Sequence, residues 1–313
     1  MKILVSDKMA EEALEVLRKE AEVDYLEPSP EELLEIIEKY DGIIVRSRTK
    51  VTGEVIERGK NLKVIGRAGV GVDNIDVKKA TEKGIMVVNA PRGSTHSVAE
   101  LVFGHMLSLA RHMAYADRSL REGRWEKKKL LGTELQGKTL GVIGFGRIGQ
   151  EVWKLAQAFG MSCVAFDPYM PANVIENLGA KPGSLEDVLK EGDFITIHAL
   201  LTDETRHMIS KEQFSMMKKS AYIINCARGG IIDERALYDA AKDGIIAGAA
   251  LDVFETEPPG DSPLFELDNV YFTPHLGAST KEAQIRAGVT TAEQVLKVLH
   301  GEKPDFLVNR ELS

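Results

Sequence analysis

Cysteine is scarce in this chain, which has only two among its 313 residues. Cys163 lies in an apolar run and Cys226 stands two residues before Arg228, so no framework of disulfide bonds is expected. Two isolated cysteines favour reduced thiols, and they predict a cytoplasmic protein.

Long apolar runs are also missing. No uninterrupted apolar run reaches the roughly 18 residues that a membrane-spanning helix needs, so the sequence predicts no membrane partner. The first residues, MKILVSDK, turn polar after five positions, which predicts a first strand rather than a signal peptide.

The chain has no long block of like charge, and its net charge is −8, from 48 acidic and 40 basic residues. This net negative charge argues against a nucleic-acid partner. We also expect no metal ion. Any anionic ligand must therefore meet local positive groups. The hydrophobic fraction of 43% is ordinary for a globular protein, and the length suggests two domains.

Glycine is plentiful at one place, the sequence GVIGFGRIG at 141–149. A strand is predicted over 139–143 and a helix over 147–159, from short apolar and helical periodicities. Between them, the first glycine permits a tight bend, the second lets backbone N–H groups approach a pyrophosphate, and the third lets helix pack on strand. The residues assigned to this dinucleotide turn are Gly144, Gly146, Arg147, Ile148 and Gly149.

Asp167 ends the next apolar run, 18 positions after Gly149. At this distance a carboxylate can accept hydrogen bonds from the adenosine ribose hydroxyls. It would repel the 2′-phosphate of NADP, and the following Pro168 and Tyr169 offer no arginine to bind it. The pattern predicts NAD as the cofactor.

Strand and helix patterns alternate twice along the chain, which predicts an α/β fold with two doubly wound parallel sheets. Strands are predicted at 2–6, 22–26, 42–46, 63–66 and 85–89, and again near 140, 163, 194, 222, 247 and 270. Helices are predicted at 10–20, at 30–40 with Ser29 as N-cap, at 97–122 with Ser97 as N-cap and Glu100 three residues on, and at 281–299.

The two longest predicted helices flank the second alternation, as expected if one domain is inserted into another. We therefore assign 1–90 and 281–313 to a discontinuous substrate-binding domain, and 91–280 to a NAD-binding domain.

Five motifs together resemble the D-2-hydroxyacid dehydrogenase family: RAGVGVDNID at 67–76, GTELQGKTLGVIGFGRIG at 132–149, NCARGG at 225–230, LDVFETEPP at 251–259 and PHLGAST at 274–280. The resemblance implies a Rossmann domain inserted into a flavodoxin-like substrate domain, with a cleft between them. Two residues depart from the family pattern. Val70 stands where a threonine is usual, and Ala199 stands where a threonine can occur. We also expect no carboxyl-terminal regulatory domain of the kind found in longer members.

The resemblance implies a catalytic set of Arg228, Glu257 and His275. Histidine suits transfer of a hydroxyl proton near neutrality, and His275 follows a predicted strand end. Glu257 would orient its ring and favour the protonated form, whereas Glu255 is expected to be a solvated loop charge. The fork of Arg228 can pair with a 2-hydroxy carboxylate. His96 and His198 are the alternative acids.

Further contacts are expected on both ligands. Asp252 is expected to accept from the nicotinamide carboxamide, and the resemblance adds cofactor contacts from Cys226, Ala227, Gly277 and Ala278. For the substrate, the backbone of Gly69, Val70 and Gly71 is assigned to the carboxylate, and Arg46, Ser47 and Arg48 to a distal phosphate.

Three functions are compatible with these residues: oxidation of 3-phosphoglycerate, reduction of glyoxylate or hydroxypyruvate, and NAD sensing as in the C-terminal-binding corepressors. The run HLGASTKEAQ at 275–284 favours the phosphoglycerate branch, and the lack of docking tails disfavours the third function. Apolar residues around the predicted helix at 97–122 indicate a homodimer or homotetramer.

The carboxylate of Asp167 generates a test of cofactor choice. The specificity for NAD should exceed that for NADP by at least about tenfold, which corresponds to roughly 1.4 kcal/mol. Steady-state kinetics with both cofactors would check this, and equal use of NADP would contradict the assignment.

Overall fold

The computed structural model describes residues 1–312, and the chain divides into two compact units. One unit comprises residues 1–94 together with the segment from residue 278 onward, and the other is Thr95–Gly277. The predicted boundaries, after residues 90 and 280, lie four and three residues from these divisions.

The strands are β1 Lys2–Val5, β2 Glu22–Tyr25, β3 Gly42–Val45, β4 Val64–Arg67, β5 Met86–Asn89, β6 Thr139–Ile143, β7 Ser162–Phe166, β8 Lys181–Pro182, β9 Phe194–Ile197, β10 Tyr222–Asn225, β11 Gly248–Leu251 and β12 Val270–Phe272. The helices are α1 Glu11–Arg18, α2 Pro30–Ile36, α3 Gly53–Arg58, α4 Val77–Glu82, α5 Thr95–Ala110, α6 Met113–Arg121, α7 Arg147–Ala158, α8 Ala172–Asn177, α9 Leu185–Glu191, α10 Lys211–Met216, α11 Glu234–Lys242 and α12 Lys281–Leu299. Single 3₁₀ turns occur at Ile37–Lys39, Lys127–Lys129, Pro263–Glu266 and Arg310–Leu312.

The first unit is built on a five-stranded parallel sheet in the order β2-β1-β3-β4-β5. This is the flavodoxin-like order. Successive strands are added on one side of β1 and then, from β3 onward, on its other side. A Cβ atom at Gly66 would lie 2.7 Å from side-chain atoms of Thr291 and Val295, so α12 packs directly on β4. Apolar clusters cover both faces of the sheet.

The second unit is built on a seven-stranded parallel sheet in the order β12-β11-β10-β9-β6-β7-β8. This is the dinucleotide-fold order, with its reversal between β6 and β9. Buried clusters again lie on both faces. The predicted class, two doubly wound parallel-sheet domains, is confirmed. Among the strands within residues 1–312, only β8, which is two residues long, was not predicted from the sequence.

The helix predicted over 97–122 is wrong in its bounds. The structure has two helices, α5 and α6, separated at His112, which adopts a left-handed φ of 54°. The backbone N–H of Thr133 donates to the carbonyl of Ala110 at 2.8 Å, so a segment distant in sequence completes the end of α5. Ser97 lies inside the first turn of α5 and is not its N-cap.

The predicted cap of α2 is confirmed. The Ser29 hydroxyl accepts from the N–H of Glu32, and the Glu32 carboxylate accepts from the N–H of Ser29, which forms a capping box. The α-helix ends at Ile36 and a 3₁₀ turn continues the predicted segment.

None of the helices in the described part of the chain is long and apolar enough to cross a bilayer. Among residues 1–312, no three histidine, cysteine, aspartate or glutamate side chains cluster as a metal site would require.

Candidate active site

The turn between β6 and α7 has the geometry of a phosphate cradle. Gly144 has a φ of +89°, and a Cβ atom there would lie 2.8 Å from the backbone of His198 and Ala199. A Cβ at Gly149 would lie 2.4 Å from the Gly144 carbonyl oxygen, so only glycine lets the helix approach the turn. A Cβ at Gly146 would meet nothing within 4 Å, which leaves open space where a ligand can approach the backbone.

The N-terminus of α7 faces this opening. Arg147 and Ile148 form its first turn after Gly146, and within residues 1–312 no side chain caps it. Backbone N–H groups at such a terminus favour an anion. The turn therefore fits the pyrophosphate of a dinucleotide.

Asp167 follows β7, beside the turn. One carboxylate oxygen accepts from the N–H of Phe145 at 2.9 Å, and the other accepts from the N–H of Tyr169 at the same distance. These bonds orient the carboxylate and hold the glycine turn against β7. The predicted hydrogen bonds from ribose stay a prediction.

His275 and Glu257 are in direct contact. The Nδ1 atom of His275 lies 2.8 Å from Oε2 of Glu257, and Oε1 of Glu257 accepts from the N–H of Phe254 at 3.1 Å. Because a carboxylate only accepts, the ring proton lies on Nδ1, and Nε2 is left to exchange a proton with a ligand. The side chains are 51% and 38% exposed, so a ligand can reach the pair.

The turn that carries His275 is organised by Asp252, which is 1% exposed. Its Oδ1 accepts from the Thr273 hydroxyl at 2.6 Å and from the N–H of Leu276 at 2.7 Å. Its Oδ2 accepts from the N–H of Gly277 at 2.9 Å. The Asp252 carbonyl accepts from the N–H of His275 at 2.8 Å, and His275 adopts a left-handed φ of 52°.

The contacts of Asp252 are thus internal. The contact of Asp252 with the nicotinamide carboxamide stays a prediction. The cofactor contacts of Gly277 and Ala278 also stay predictions, and the division between the two units falls between these two residues.

Arg228 lies on a loop that Asn225 holds from the end of β10. The Asn225 side chain accepts from the N–H of Ala227 at 3.0 Å and donates to the carbonyl of Arg228 at 2.9 Å. A Cβ at Gly229 would lie 1.7 Å from the carbonyl oxygen of Phe254, so this loop touches the segment that leads to Glu257. Asn225 was not predicted as a site residue. Its position at the end of β10, three residues before Arg228, could have indicated that it supports the Arg228 loop.

Cys226 is buried beside this loop, and burial raises the pKa of its thiol well above the usual value. Burial also raises the pKa of Cys163 to about 12. Neither side chain is therefore a thiolate near neutral pH, which disfavours both as nucleophiles.

Glu255 is exposed in a loop, as expected from the sequence, but its carboxylate also has specific partners. Its Oε1 accepts from the N–H of Glu234 at 3.1 Å and lies 3.1 Å from Nε2 of His207. The N–H of Glu255 in turn donates to the Glu234 carboxylate at 2.6 Å. Glu255 thus binds the first turn of α11, because helix N-termini leave N–H groups without partners.

The alternative acids lie in different surroundings. His96 is exposed and its Nδ1 lies 3.0 Å from Oε1 of Glu151 on α7. His198 follows β9, where its Nε2 lies 3.0 Å from the Thr196 hydroxyl. Its Nδ1 is sealed from solvent and, within the described residues, has no hydrogen-bond partner. Burial lowers the pKa of His198 to about 3, so its ring is neutral at pH 7.

The residues predicted to bind a distal phosphate lie after β3 in the first unit. The buried Asp7 carboxylate accepts from the N–H of Arg46, from the hydroxyl of Thr49 at 2.7 Å and from Nε of Arg48 at 3.1 Å. Arg48 also donates to the carbonyls of Ser6 and Pro28. Arg48 therefore holds this loop together. Ser47 is exposed. The side chain of Arg46 donates from Nη1 to the Lys8 carbonyl at 3.2 Å.

The predicted carboxylate loop follows β4. The N–H of Gly69 donates to the carbonyl of Arg67 at 2.8 Å, and the Val70 carbonyl accepts from the Asn89 side chain at 2.6 Å. Within residues 1–312 no hydrogen bond is donated by the N–H of Val70 or Gly71. These two groups, rather than that of Gly69, are available to a ligand.

Comparisons with known proteins agree with this arrangement. Residues 103–277 match the family model "D-isomer specific 2-hydroxyacid dehydrogenase, NAD binding domain". The chain is 56% identical over 311 residues to the D-3-phosphoglycerate dehydrogenase of Methanocaldococcus jannaschii, which covers 99% of this chain and 59% of the relative. It is 52% identical over 303 residues to the hydroxypyruvate reductase of Thermotoga maritima, covering 95% and 98% of the two chains.

Among solved structures, a protein from Thermus thermophilus superposes with a TM-score of 0.89 at 37% identity, over 98% of this chain and 100% of that one. The chain spans about three fifths of the length of the phosphoglycerate dehydrogenases from M. jannaschii and Archaeoglobus fulgidus.

The burial of His198 generates a stability test. Its folded pKa of about 3 lies below the unfolded value of 6.5, so protonation favours the unfolded chain as pH falls below 6.5. Between pH 7 and pH 5, the wild type should lose about 2 kcal/mol more unfolding free energy than His198→Gln. Urea unfolding at both pH values measures this, and equal losses would show that His198 titrates normally.

Proposed function

The chain belongs to the D-isomer specific 2-hydroxyacid dehydrogenase family, and we propose that it oxidises 3-phospho-D-glycerate to 3-phosphohydroxypyruvate with NAD. This reaction is the first step of serine biosynthesis. The observation that carries the proposal is the contact of His275 with Glu257 in the same unit as the glycine cradle. The 56% identity to a protein named for this activity supports the choice of substrate.

NAD, held by the glycine turn at 144–149 and Asp167, would supply the two-electron acceptor for the hydride released when the C2–H bond of the substrate breaks. The proton of the 2-hydroxyl passes to Nε2 of His275, and a 2-oxo group forms. Glu257 holds the ring through Nδ1 and stabilises the imidazolium that results, since its carboxylate lies 2.8 Å away.

Arg228 is proposed to pair with the substrate carboxylate and to polarise the 2-oxo group in the reverse direction. The N–H groups of Val70 and Gly71 in the first unit are proposed to donate to a substrate carboxylate, as the sequence predicts. Of the three residues predicted for the phosphate, Arg46 and Ser47 remain candidates, because Arg48 is bound to Asp7 and to two carbonyls.

Reduction of hydroxypyruvate is the second candidate. A specific observation favours it, because the T. maritima relative that carries this name matches almost over its whole length. The same acid, orienting carboxylate and arginine serve both reactions, so the distinction rests on the phosphate. NAD sensing without turnover, as in the corepressors, has less support, since the similar proteins reported above are named as a dehydrogenase and a reductase.

Kinetics with the three substrates test the proposal. The kcat/KM for 3-phosphohydroxypyruvate should exceed those for hydroxypyruvate and glyoxylate, and His275→Ala should lower kcat by about 10² to 10⁴ with little change in NAD affinity. Arg228→Lys should impair both kcat and KM, because the planar fork is lost.

Glu255→Gln is the matched control for Glu257→Gln, since both carboxylates lie on one loop and only Glu257 contacts His275. Glu257→Gln should lower kcat and Glu255→Gln should not. A preference for hydroxypyruvate would favour the second candidate, and binding of NAD without turnover of any substrate would reject both.

We also propose that the chain associates with itself as a homodimer or homotetramer in the cytoplasm, without nucleic-acid partners. Exposed apolar side chains on α6 and the segment after it support association: Met113, Leu120, Trp125 at 80% exposure and Leu131 at 90%. The two buried thiols suit a reducing compartment, and the net charge of −8 disfavours nucleic acid.

Sedimentation at micromolar concentration tests the association. The wild type should be at least a dimer, and Trp125→Asp with Leu131→Asp should shift it toward the monomer, because burying a carboxylate in an apolar interface is unfavourable. Ile245→Asp, at an exposed apolar residue elsewhere in the same unit, is the control. A monomeric wild type would contradict the proposal.

A further inference from the structure

A chain of buried and partly buried hydrogen bonds leads from α5 to the turn that carries His275. It begins at His105, which is 5% exposed and whose Nε2 lies 3.1 Å from the hydroxyl of Thr273. It continues from Thr273 to Asp252 at 2.6 Å, and from Asp252 to the N–H groups of Leu276 and Gly277. His105 lies inside α5, and its position in the sequence does not by itself indicate a functional role.

The direction of each bond follows from the groups involved. A carboxylate only accepts, so the single proton of the Thr273 hydroxyl points to Asp252. The hydroxyl oxygen is then the acceptor for His105, and Nε2 of His105 must carry a proton. Burial lowers the pKa of His105, which agrees with a neutral ring that donates from Nε2.

This donor restricts what the Thr273 hydroxyl can do. With Nε2–H of His105 directed at its oxygen, the hydroxyl cannot turn its proton toward α5 and keeps donating to Asp252. Asp252 in turn holds the turn in which His275 keeps its left-handed φ of 52°. A non-glycine residue in this region persists only where its surroundings fix it, because the conformation costs energy.

We propose that His105 is a positioning residue for His275, acting through Thr273 and Asp252. The inference rests on the proposed function, because it assigns a task to the same proton-transferring histidine. His105 touches neither the ring of His275 nor Glu257 in this role. It fixes the turn so that Nε2 of His275 keeps one orientation.

Four variants separate this role from simple packing. His105→Leu removes the donor, and His105→Gln restores a side-chain N–H. Thr273→Val removes the relay, and the double variant His105→Leu/Thr273→Val measures coupling between the two positions. Leu109→Ala, one turn further along α5 and 2% exposed, is the packing control.

Two readouts are measured on each full-length variant: kcat with the KM values for 3-phosphoglycerate and NAD, and backbone hydrogen exchange of the segment 273–277 without substrate. His105→Leu should lower kcat by roughly 10-fold, within the 10²-fold that a displacement of about 1 Å can cost, with KM for NAD little changed. Exchange at Leu276 and Gly277 should become faster. His105→Gln should recover both, and the double variant should be no worse than Thr273→Val.

The inference is overturned if His105→Leu leaves kcat and exchange at Leu276 and Gly277 as in the wild type. It is also overturned if Leu109→Ala alters them equally, if His105→Gln recovers neither, or if the single effects simply add. If the wild type turns over none of the 2-hydroxy or 2-oxo acids, the proposed function fails, while hydrogen exchange still decides the role of His105.

Discussion

A buried carboxylate must find hydrogen-bond donors, and in the second unit this requirement shapes the site. Asp252 is almost fully buried after β11, where an unpaired charge would cost several kcal/mol. The N–H groups of Leu276 and Gly277, together with the Thr273 hydroxyl, satisfy it. Because these donors flank His275, satisfying the charge also determines the backbone of the residue proposed to move the proton.

The first unit uses the same device. Asp7, 4% exposed after β1, accepts from the backbone of Arg46 and from the side chains of Arg48 and Thr49. In both units the carboxylate follows a strand, and the loop that it organises follows a neighbouring strand of the same sheet. Loops at the carboxyl ends of parallel strands carry ligands in such folds, so an aspartate at this edge stabilises the loops that we propose to bind ligand.

The features that were predicted best from the sequence are those that neighbouring residues along the chain specify. Strand length, glycine spacing and the distance from Gly149 to Asp167 are encoded in contiguous residues, and the structure brings Asp167 beside the glycine turn. The Ser29 cap is equally local. The contact of Glu257 with His275 is not local, and it was expected only because five motifs resembled those of a known family.

What the sequence could not predict depends on contacts between distant segments. The end of α5 is set by Thr133, and apolar periodicity continues through that point without a sign of the break. Glu255 is the exposed loop charge that the sequence predicted, but its partner, the N–H of Glu234, lies 21 residues away and could not be predicted. His105 and Thr273 are 168 residues apart, so no spacing rule joins them.

The approach of Gly229 to the Phe254 carbonyl limits how this chain can change in evolution. A Cβ at position 229 would lie 1.7 Å from that oxygen, and any other residue would separate the Arg228 loop from the segment that leads to Glu257. Alanine, the smallest replacement, already carries the atom that collides. A lineage could therefore vary the surface of either loop freely, but an exchange at position 229 would need a simultaneous backbone shift near Phe254. Substitutions where the two loops touch should therefore be coupled in evolution.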